Sequence, residues 1–597
     1  MHPISKTLLG SLFILSPLSA AMAETLPTIN VTANRTVTPD QHTMAGVTVI
    51  DRAEIERKQF NSLTDLLKTV PSISMRSNGG EGKTSGISLR GTKSNNVLVL
   101  VDGQKVGSAT TGAAAFEHFP IDQIERVEVI RGPRSSLYGA EAIGGVIQIF
   151  TRKGSQDGIK PFASMTYGSH ETYDGNIGVH VKEGNSWATL SLAGRKTQGI
   201  NTTAPTGWGY DPDKDGYENK SVSVRAGHQF NDQFSLEGNV LYTDGKNEYD
   251  SSPNIYSNIN QNIYGVTAKY KPINVWETEF KIGRTEDKLE TVASTTSHIN
   301  TERNNASWLN TLSLHPQHTL MFGVDYQDDK VTSETAYTLK ERNNIGYFTQ
   351  YLGAIGAVDL QAAVRFDDNE QYGDHTTGNA SVGYRFNDDY TAYAAWGKAF
   401  RTPTFNELYW PGAGNVNLKP EEAENIEIGF KGRQWLDWQL NIFNNEFDNM
   451  IVGWPAINID KARIQGGELE VGQNLSNWMW NVNYTYQKPE DRGNTANKGK
   501  QAVYIPKQLL NVSADYKMDK WTVGGSVHAE DKRYTNPANT QYLGAFATAD
   551  VRVAYQATPE FSIQAKLANM FDKEYQTNKD YNQDGRTAWV TLRYAMK

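Results

Sequence analysis

The sequence predicts a transmembrane β-barrel of about 22 antiparallel strands, with an N-terminal α/β domain inside the lumen. The first observation is a two-residue alternation of apolar and polar side chains that continues from about residue 160 onward. The second is composition: 38% of residues are hydrophobic and mean hydropathy is −0.57, although 13 Trp, 29 Tyr and 21 Phe are present. A barrel with a polar interior, an apolar exterior and aromatic girdles has this composition.

The alternation is clearest in the last quarter of the chain. In residues 480–487 one face carries Trp, Val, Tyr and Tyr, while the other carries Asn, Asn, Thr and Gln. Residues 510–517 and 561–567 repeat the pattern. A soluble β-sandwich alternates in a similar way, so the alternation alone leaves that alternative open. The number of strands, their aromatic ends and an N-terminal export signal together favour a lipid-facing barrel.

Lipid dictates that the predicted sheet closes, because an open edge would leave backbone groups unpaired in hydrocarbon. Residues 154–597 form the predicted barrel. At roughly 20 residues for each strand and its connection, this length gives about 22 strands, although 20 or 24 fit almost as well. A barrel of this width has an open lumen unless another domain occupies it, and residues 41–153 are the predicted occupant.

The first 40 residues carry export and tail features. An apolar run in residues 8–21 is broken by Gly10, Ser11 and Pro17 and ends in Ala-Met-Ala, which predicts a signal peptide over residues 1–23. Residues 24–40 are polar and lack helical periodicity, so we expect an extended tail. The chain has no cysteine, which excludes disulfides, and its net charge of −9 argues against nucleic-acid binding.

Residues 41–153 read as a compact α/β domain. Ser62 and Asp65 form an S-x-x-D cap before leucines at helical spacing, and apolar strands are predicted at residues 97–101 and 127–130. Loops at residues 77–86 and 105–115 are rich in Gly, Ser and Thr, which suits ligand contact, although ordinary surface loops share this composition. HExxH, Walker and GxSxG motifs are all missing from the sequence, so we expect no enzyme.

Residues 126–153 carry the most specific motif, RVEVIRGPRSSLYGAEAIGGVIQIFTRK. This segment resembles the end of the plug domain in TonB-dependent receptors. The resemblance implies a monomer in the bacterial outer membrane, surrounded by lipid, with residues 41–153 as plug and 154–597 as barrel. It also implies that a TonB box in the periplasmic tail pairs edge-on with the TonB protein of the inner membrane. The residues of that box are Thr28, Ile29, Asn30, Val31, Thr32 and Ala33.

Within the family, the chain is most similar to the cobalamin transporters, through segments such as residues 31–35, 78–80, 89–92 and 213–216. This similarity implies import of cobalamin or a related corrinoid. A ferric siderophore receptor of the same architecture is the alternative, and a surface receptor for phage or bacteriocins is a further one. Polar, mostly uncharged plug loops favour a neutral ligand, although Lys83 and Lys93 add positive charge. The expected substrate-binding residues are Asn78, Gly79, Lys83, Ser85, Thr111 and Gly112.

One loop of the barrel has a cation-binding pattern. Asp211, Asp213 and Asp215 alternate before Gly216, and hard oxygen ligands at this spacing suit calcium. An EF-hand is excluded because its twelfth position would be Val222 and a strand follows. The resemblance adds Asp244 and Asp250 from the neighbouring loop to the expected calcium ligands. A solvated acidic loop is the alternative, and Asn201 stands where the family pattern has a further aspartate.

Overall fold

The structure of the chain is a computed structural model that describes residues 30–32, 34–35, 38–39, 42–251 and 255–596. The predicted signal peptide and three predicted TonB-box residues, Thr28, Ile29 and Ala33, lie outside these ranges. Within them, no helix is long and apolar enough to cross a membrane.

The N-terminal part forms the predicted α/β plug. Its elements are β1 (Asn30–Val31), β2 (Thr38–Pro39), β3 (Val47–Asp51), α1 (Arg52–Lys58), α2 (Leu63–Leu67), β4 (Ile73–Ser77), β5 (Ser85–Leu89), β6 (Val97–Val101), β7 (Gln104–Val106), β8 (Ile124–Arg131), α3 (Ser135–Tyr138) and β9 (Gly145–Thr151), with 3₁₀ turns at Ser94–Asn96, Phe116–His118 and Ile121–Gln123. A five-stranded sheet has the order β3-β8-β9-β6-β7, with β6 parallel to β9 and the other pairs antiparallel. The two-residue strands of the tail, β1 and β2, pair with each other, as do β4 and β5.

The rest of the chain forms a closed antiparallel barrel of 22 strands, which confirms the predicted number. Each strand pairs with its neighbours, and the last closes on the first through pairs such as Thr166 with Thr591. The strands are β10 (Gly158–Gly168), β11 (Thr172–Glu183), β12 (Ser186–Thr197), β13 (Tyr217–Gln229), β14 (Phe234–Glu248), β15 (Tyr256–Ile273), β16 (Trp276–Val292), β17 (Thr296–His315), β18 (His318–Ser333), β19 (Glu341–Ile355), β20 (Val358–Asn369), β21 (Gly373–Arg385), β22 (Tyr390–Arg401), β23 (Glu421–Gly432), β24 (Asp437–Val452), β25 (Ile457–Asn474), β26 (Trp478–Asp491), β27 (Gln508–Met518), β28 (Trp521–Glu530), β31 (Phe546–Gln556), β32 (Phe561–Ala568) and β33 (Thr587–Ala595).

Long connections between the strands gather at one end of the barrel and short turns at the other. One long connection contains α4 (Phe405–Tyr409), and another contains the short pair β29 (Arg533–Tyr534) and β30 (Tyr542–Leu543). Outer-membrane barrels carry longer extracellular loops and short periplasmic turns, so the long-loop end is the extracellular one.

The alternation seen in the sequence divides lumen from lipid. In β26, Asn483 and Thr485 are buried against the plug side, whereas Tyr484 and Tyr486 are 38% and 44% exposed on the outer wall. Asn483 Nδ2 donates to the backbone oxygen of Thr69 at 2.8 Å, so the polar face also holds the plug.

The plug has its own apolar core. Ser62 caps α2 by accepting from Asp65 N at 3.1 Å, as predicted, and this helix buries Leu63, Leu66 and Leu67 fully. These leucines pack with β6 and β8 in one cluster. The plug therefore has a folded core of its own, and its contacts with the barrel are largely polar.

A buried ionic network holds the plug to β23 and β25. Arg90 of the plug donates to both oxygens of Glu468 at 2.8 Å and to Glu427 at 2.6 Å. Arg131 Nε lies 3.2 Å from the same Glu468, and Ser72 donates its hydroxyl to it. All of these side chains are 4% exposed or less, so each charge depends on its partners.

Replacing Glu468 should loosen the plug. Glu468→Ala leaves Arg90 and Arg131 short of a partner in a buried site, which costs about 3–5 kcal/mol. The measurement is ion conductance of the purified protein in planar bilayers, where we expect frequent openings. Glu341→Ala, which removes an exposed partner of Lys330, is the control and should stay closed. Equal conductance of the two variants would contradict this role for the network.

Candidate functional site

A cavity of about 840 Å³ lies at the extracellular end, between the top of the plug and the barrel loops. Four of the six predicted substrate-binding residues line it: Asn78, Lys83, Ser85 and Thr111. They come from the two plug loops that the sequence singled out, because β4 with β5 and β6 with β7 project those loops from the plug core. The plug therefore forms the floor of the cavity.

Gly79 and Gly112 do not line the cavity but allow close packing of the same loops. Gly79 has φ +88°, and a Cβ there would lie 2.5 Å from the backbone oxygen of Asn582. Gly112 has φ +74°, and a Cβ there would lie 2.8 Å from Thr404 Cγ2. Both are needed for backbone conformation and close approach, so a bulky side chain at Gly112 would push the loop off the barrel.

Aromatic side chains from distant parts of the chain also line the cavity. Trp208 is 82% exposed at the mouth, and the guanidinium of Arg76 stacks 4.7 Å from the ring centre of Tyr504. These aromatic residues were not among the predicted binding residues, because they lie in separate barrel loops and share no local pattern. The set comprises Trp208, Tyr249, Trp410, Tyr504 and Tyr581.

The acidic loop lies beside the cavity. The carboxylates of Asp213, Asp215 and Asp250 each offer an oxygen within 4.8 Å of the others. Asp215 is buried and accepts from the backbone nitrogen and hydroxyl of Thr202 at 2.8 and 2.7 Å. Asp250 accepts from Thr203 N at 3.3 Å and also lines the cavity. We call these three aspartates the acidic cluster.

The other two predicted calcium ligands are placed differently. Asp211 accepts from Asn201 Nδ2 through its backbone oxygen at 2.7 Å. Asp244 lies on β14, exposed on the outer wall, and accepts from Asn260 at 2.7 Å. Among the described residues the acidic cluster therefore contains neither of them.

The acidic cluster is electrostatically strained and has a donor set suited to a hard cation. Burial, with Asp211 and Asp215 nearby, raises the pKa of Asp213, and burial with Asp215 nearby raises the pKa of Asp250. Asn201 Oδ1 and Thr203 Oγ1 are buried without a hydrogen-bond partner. Carboxylate, amide and hydroxyl oxygens are the ligands that Ca²⁺ takes, so the residues fit such an ion.

The loop before β33 joins the plug to the acidic loop. Asn578 Nδ2 donates to Asn78 Oδ1 at 2.7 Å, and Gln583 donates to the backbone oxygen of Ser77 at 3.3 Å. On the other side, Asn582 N donates to Thr202 O at 2.8 Å. No local sequence pattern marks these contacts, because the residues that they join lie hundreds of positions apart.

At the opposite end, the described residues of the predicted TonB box, 30–32, are tucked against the plug. Val31 is fully buried in an apolar cluster with plug residues. The backbone nitrogen and hydroxyl of Thr32 donate to Glu128 at 2.9 and 2.7 Å, and its backbone oxygen accepts from Tyr138 at 3.0 Å. Because the backbone nitrogen and oxygen of Thr32 are already hydrogen-bonded to the plug, this segment must be released before it can pair with another strand.

Arg35 anchors the tail to the barrel wall. Its two terminal nitrogens donate to both oxygens of Asp325 on β18, at 3.1 and 2.9 Å. The guanidinium also lies over the rings of Tyr138 and Phe348, at 5.1 and 4.6 Å from their centres. A bidentate pair of this kind is among the stronger polar contacts in proteins, so it favours the tucked tail.

Known protein families account for most of the chain. Residues 39–146 match the TonB-dependent Receptor Plug Domain, and residues 162–570 match the family described as TonB dependent receptor-like, beta-barrel. The chain is 31% identical over 584 residues to the vitamin B12 transporter BtuB of Photobacterium profundum, covering 94% of this chain and 95% of the relative. It is 30% identical to BtuB of Vibrio vulnificus, covering 97% and 98%.

Solved structures share the fold at lower identity. The siderophore receptor PiuA from Acinetobacter baumannii aligns with a TM-score of 0.80 at 17% identity, over 94% of this chain and 97% of that one. The ferric enterobactin receptor PfeA from Pseudomonas aeruginosa, a mutant in complex with enterobactin, aligns with a TM-score of 0.80 at 18% identity, over 92% and 99%. At this identity the likeness extends to the fold alone.

Replacing Arg35 should release the tail. Arg35→Ala removes two charge-assisted hydrogen bonds, a loss of about 1.5–3 kcal/mol, so amide exchange at residues 30–32 should speed up about tenfold or more. Hydrogen exchange with mass spectrometry measures this rate. Arg433→Ala, which breaks the pair with Asp437 at a periplasmic turn, is the control. Unchanged exchange in Arg35→Ala would show that the pair does not hold the tail.

Proposed function

The chain belongs to the TonB-dependent receptors of the outer membrane, and from that premise we propose that it imports cobalamin, driven by TonB and aided by calcium. This family consists of receptors and transporters rather than enzymes. BtuB relatives with about 30% identity along almost the whole chain support cobalamin over other ligands. The family alone leaves the ferric siderophore alternative open.

The observation that carries the cobalamin proposal is the chemistry of the extracellular cavity. Its floor presents short polar groups such as Asn78, Ser85 and Thr111, beneath an aromatic rim. Amide-bearing edges of a corrinoid can hydrogen-bond to such a floor while its broad apolar faces contact the rim. The volume of about 840 Å³ lies within the range of large ligand sites.

The charges around the cavity argue against an anionic chelate. Lys83 donates to three backbone oxygens, and Lys93 lies in the field of Glu421 and Glu407. The carboxylate of Asp250 lines the same cavity, and so does the carboxyl of Glu117, whose pKa burial raises to about 8. An anionic ferric chelate favours a basic pocket, whereas a largely neutral ligand tolerates this mixture of charges.

Calcium enters the proposal through the acidic cluster. Asp213, Asp215 and Asp250 would hold the ion, and the partnerless oxygens of Asn201 and Thr203 lie on the same loop as candidate further ligands. Bound calcium supplies positive charge that removes the repulsion between the carboxylates. Because Asp250 also lines the cavity, an ordered cluster fixes one of the cavity walls.

Transport needs energy that the outer membrane lacks, and the N-terminal tail at the periplasmic end of the plug is the segment that we expect a partner to engage. We expect TonB to pair with residues 28–33 after release of the tucked segment. Ligand at the cavity can promote that release only if it binds the released state more tightly than the tucked state. The plug, which forms the cavity floor and also buries Val31, is the element that connects the two ends.

Calcium should strengthen cobalamin binding. We expect a chelator to weaken cyanocobalamin affinity by about 5- to 150-fold, the range typical of coupled sites. Asp213→Asn keeps the side-chain size but removes one charge, so it should raise the calcium concentration needed for half the effect. Isothermal titration of the purified protein measures both quantities.

Asp244→Asn is the matched control, because that carboxylate lies on the outer wall away from the cluster, and it should behave as the native chain does. Equal cobalamin affinity in calcium and in chelator would overturn the calcium proposal and favour a solvated acidic loop.

Growth tests the import proposal. A strain that depends on external cobalamin and lacks its own receptor should grow on trace cobalamin when it expresses the native chain. Deletion of residues 28–33 should abolish growth while cell-surface binding of cobalamin persists, because the tail is far from the cavity. Failure of the native chain here, together with rescue of iron-starved cells by a ferric siderophore, would establish the siderophore alternative instead.

A further inference from the structure

Lys83 connects the cavity floor to the acidic cluster. Its side chain is 2% exposed and lines the cavity. Its Nζ donates to the backbone oxygens of Asp215 and Gly216 at 3.1 and 3.2 Å, and to that of Glu81 at 3.1 Å. Asp215 therefore offers its carboxylate to the acidic cluster and its carbonyl to the plug. Asp215 thus belongs to the acidic cluster and also contacts Lys83 on the cavity floor.

Two neighbouring contacts fix the same plug loop to the barrel. A Cβ at Gly82 would lie 2.1 Å from the ring of Tyr217, so this glycine lets the plug sit directly on the first residue of β13. Arg195 of β12 pairs with Glu81 at 2.6 Å. The plug loop and the end of the acidic loop are thus packed as a unit, which we call the plug clamp: residues 81–83 with residues 215–217.

The energetics of Lys83 make this contact sensitive to the conformation of the acidic loop. A buried ammonium that loses its hydrogen-bond acceptors carries a desolvation cost, and Lys83 is only 2% exposed. Two of the three acceptors, the carbonyls of Asp215 and Gly216, belong to the acidic loop, so their positions depend on the conformation of that loop. Repulsion among three clustered carboxylates opposes that conformation, and a bound cation removes the repulsion.

We propose that Lys83 is a positioning residue that transmits cation binding from the acidic cluster to the plug loop, so that calcium orders the cavity floor as well as the barrel loops. The inference rests on the proposed calcium site and extends it to the plug. By linkage, a ligand that holds the floor in place also tightens cation binding. Calcium would then act on the element that connects the cavity with the tail.

The direction in which a Lys83 substitution changes calcium affinity distinguishes loss of coupling to the plug loop from general disruption of the calcium site. The Lys83 ammonium lies in the field of Asp215 and Glu248, so it competes electrostatically with a cation at the cluster. Lys83→Met removes that positive charge and the three hydrogen bonds together. We therefore expect the variant to bind calcium at an equal or lower concentration than the native chain, while the plug loop no longer responds.

Hydrogen exchange with mass spectrometry, with calcium alone as the ligand, tests the inference on the full-length protein in lipid nanodiscs. In the native chain calcium should slow exchange about fivefold or more, the lower end of typical coupling, both in residues 211–217 and in residues 79–84. In Lys83→Met the slowing should persist in residues 211–217 and fall below about twofold in residues 79–84. Lys93→Met, which removes a lysine of the same cavity, should respond like the native chain.

A second variant guards against misfolding of the first. Gly82→Ala disrupts the plug clamp by contact with Tyr217 but leaves every charge in place, so it should uncouple the plug loop without lowering the calcium midpoint. Calcium protection of residues 79–84 that survives in both variants would overturn the inference. If calcium protects neither residues 211–217 nor residues 79–84 in the native chain, the proposed calcium site is wrong. That result differs from protection of residues 79–84 that persists in both variants, which overturns only the role of Lys83.

Discussion

The structure depends on one constraint: a sheet in lipid must close, and a closed sheet of 22 strands encloses a wide lumen. The plug fills that lumen, yet the proposed import would require the plug to move. Buried ion pairs such as Arg90 with Glu468 suit both needs. These ion pairs hold the plug firmly while each charge keeps its partner. If the plug shifts, water can solvate the separated charges along the polar inner wall of the barrel. An apolar interface between plug and barrel would resist movement of the plug, because separating it would expose apolar surface to water.

The plug connects three places where its contacts can change. Its upper loops form the cavity floor, Lys83 binds the backbone beside the acidic cluster, and its lower side buries Val31 of the tail. Under the proposed function, each contact joins a plug residue to a group that would have two states: an occupied or empty cavity, a bound or free cation, a tucked or released tail. Coupling among them follows if the plug has two arrangements that these contacts favour differently.

The sequence predicted local features well and long-range ones poorly. Alternation identified the barrel wall, and the cap at Ser62 identified α2, because both depend on neighbours in the chain. Asp213 and Asp215 come together for the same reason. Asp244 does not join them because it shares the outward face of β14 with Tyr242 and Lys246, an alternation already visible in the sequence. The aromatic rim and the Arg35–Asp325 pair join residues hundreds of positions apart, and no local pattern marks such contacts.

The central claim is that the cavity selects a large, largely neutral corrinoid. Competition binding on the purified protein in calcium tests it most directly, with labelled cyanocobalamin displaced by unlabelled cobalamin or by a panel of ferric siderophores. The account predicts saturable one-to-one binding that unlabelled cobalamin displaces and ferric siderophores do not. Displacement by an anionic ferric chelate at comparable concentration, or saturable binding of that chelate with none of cobalamin, would contradict it.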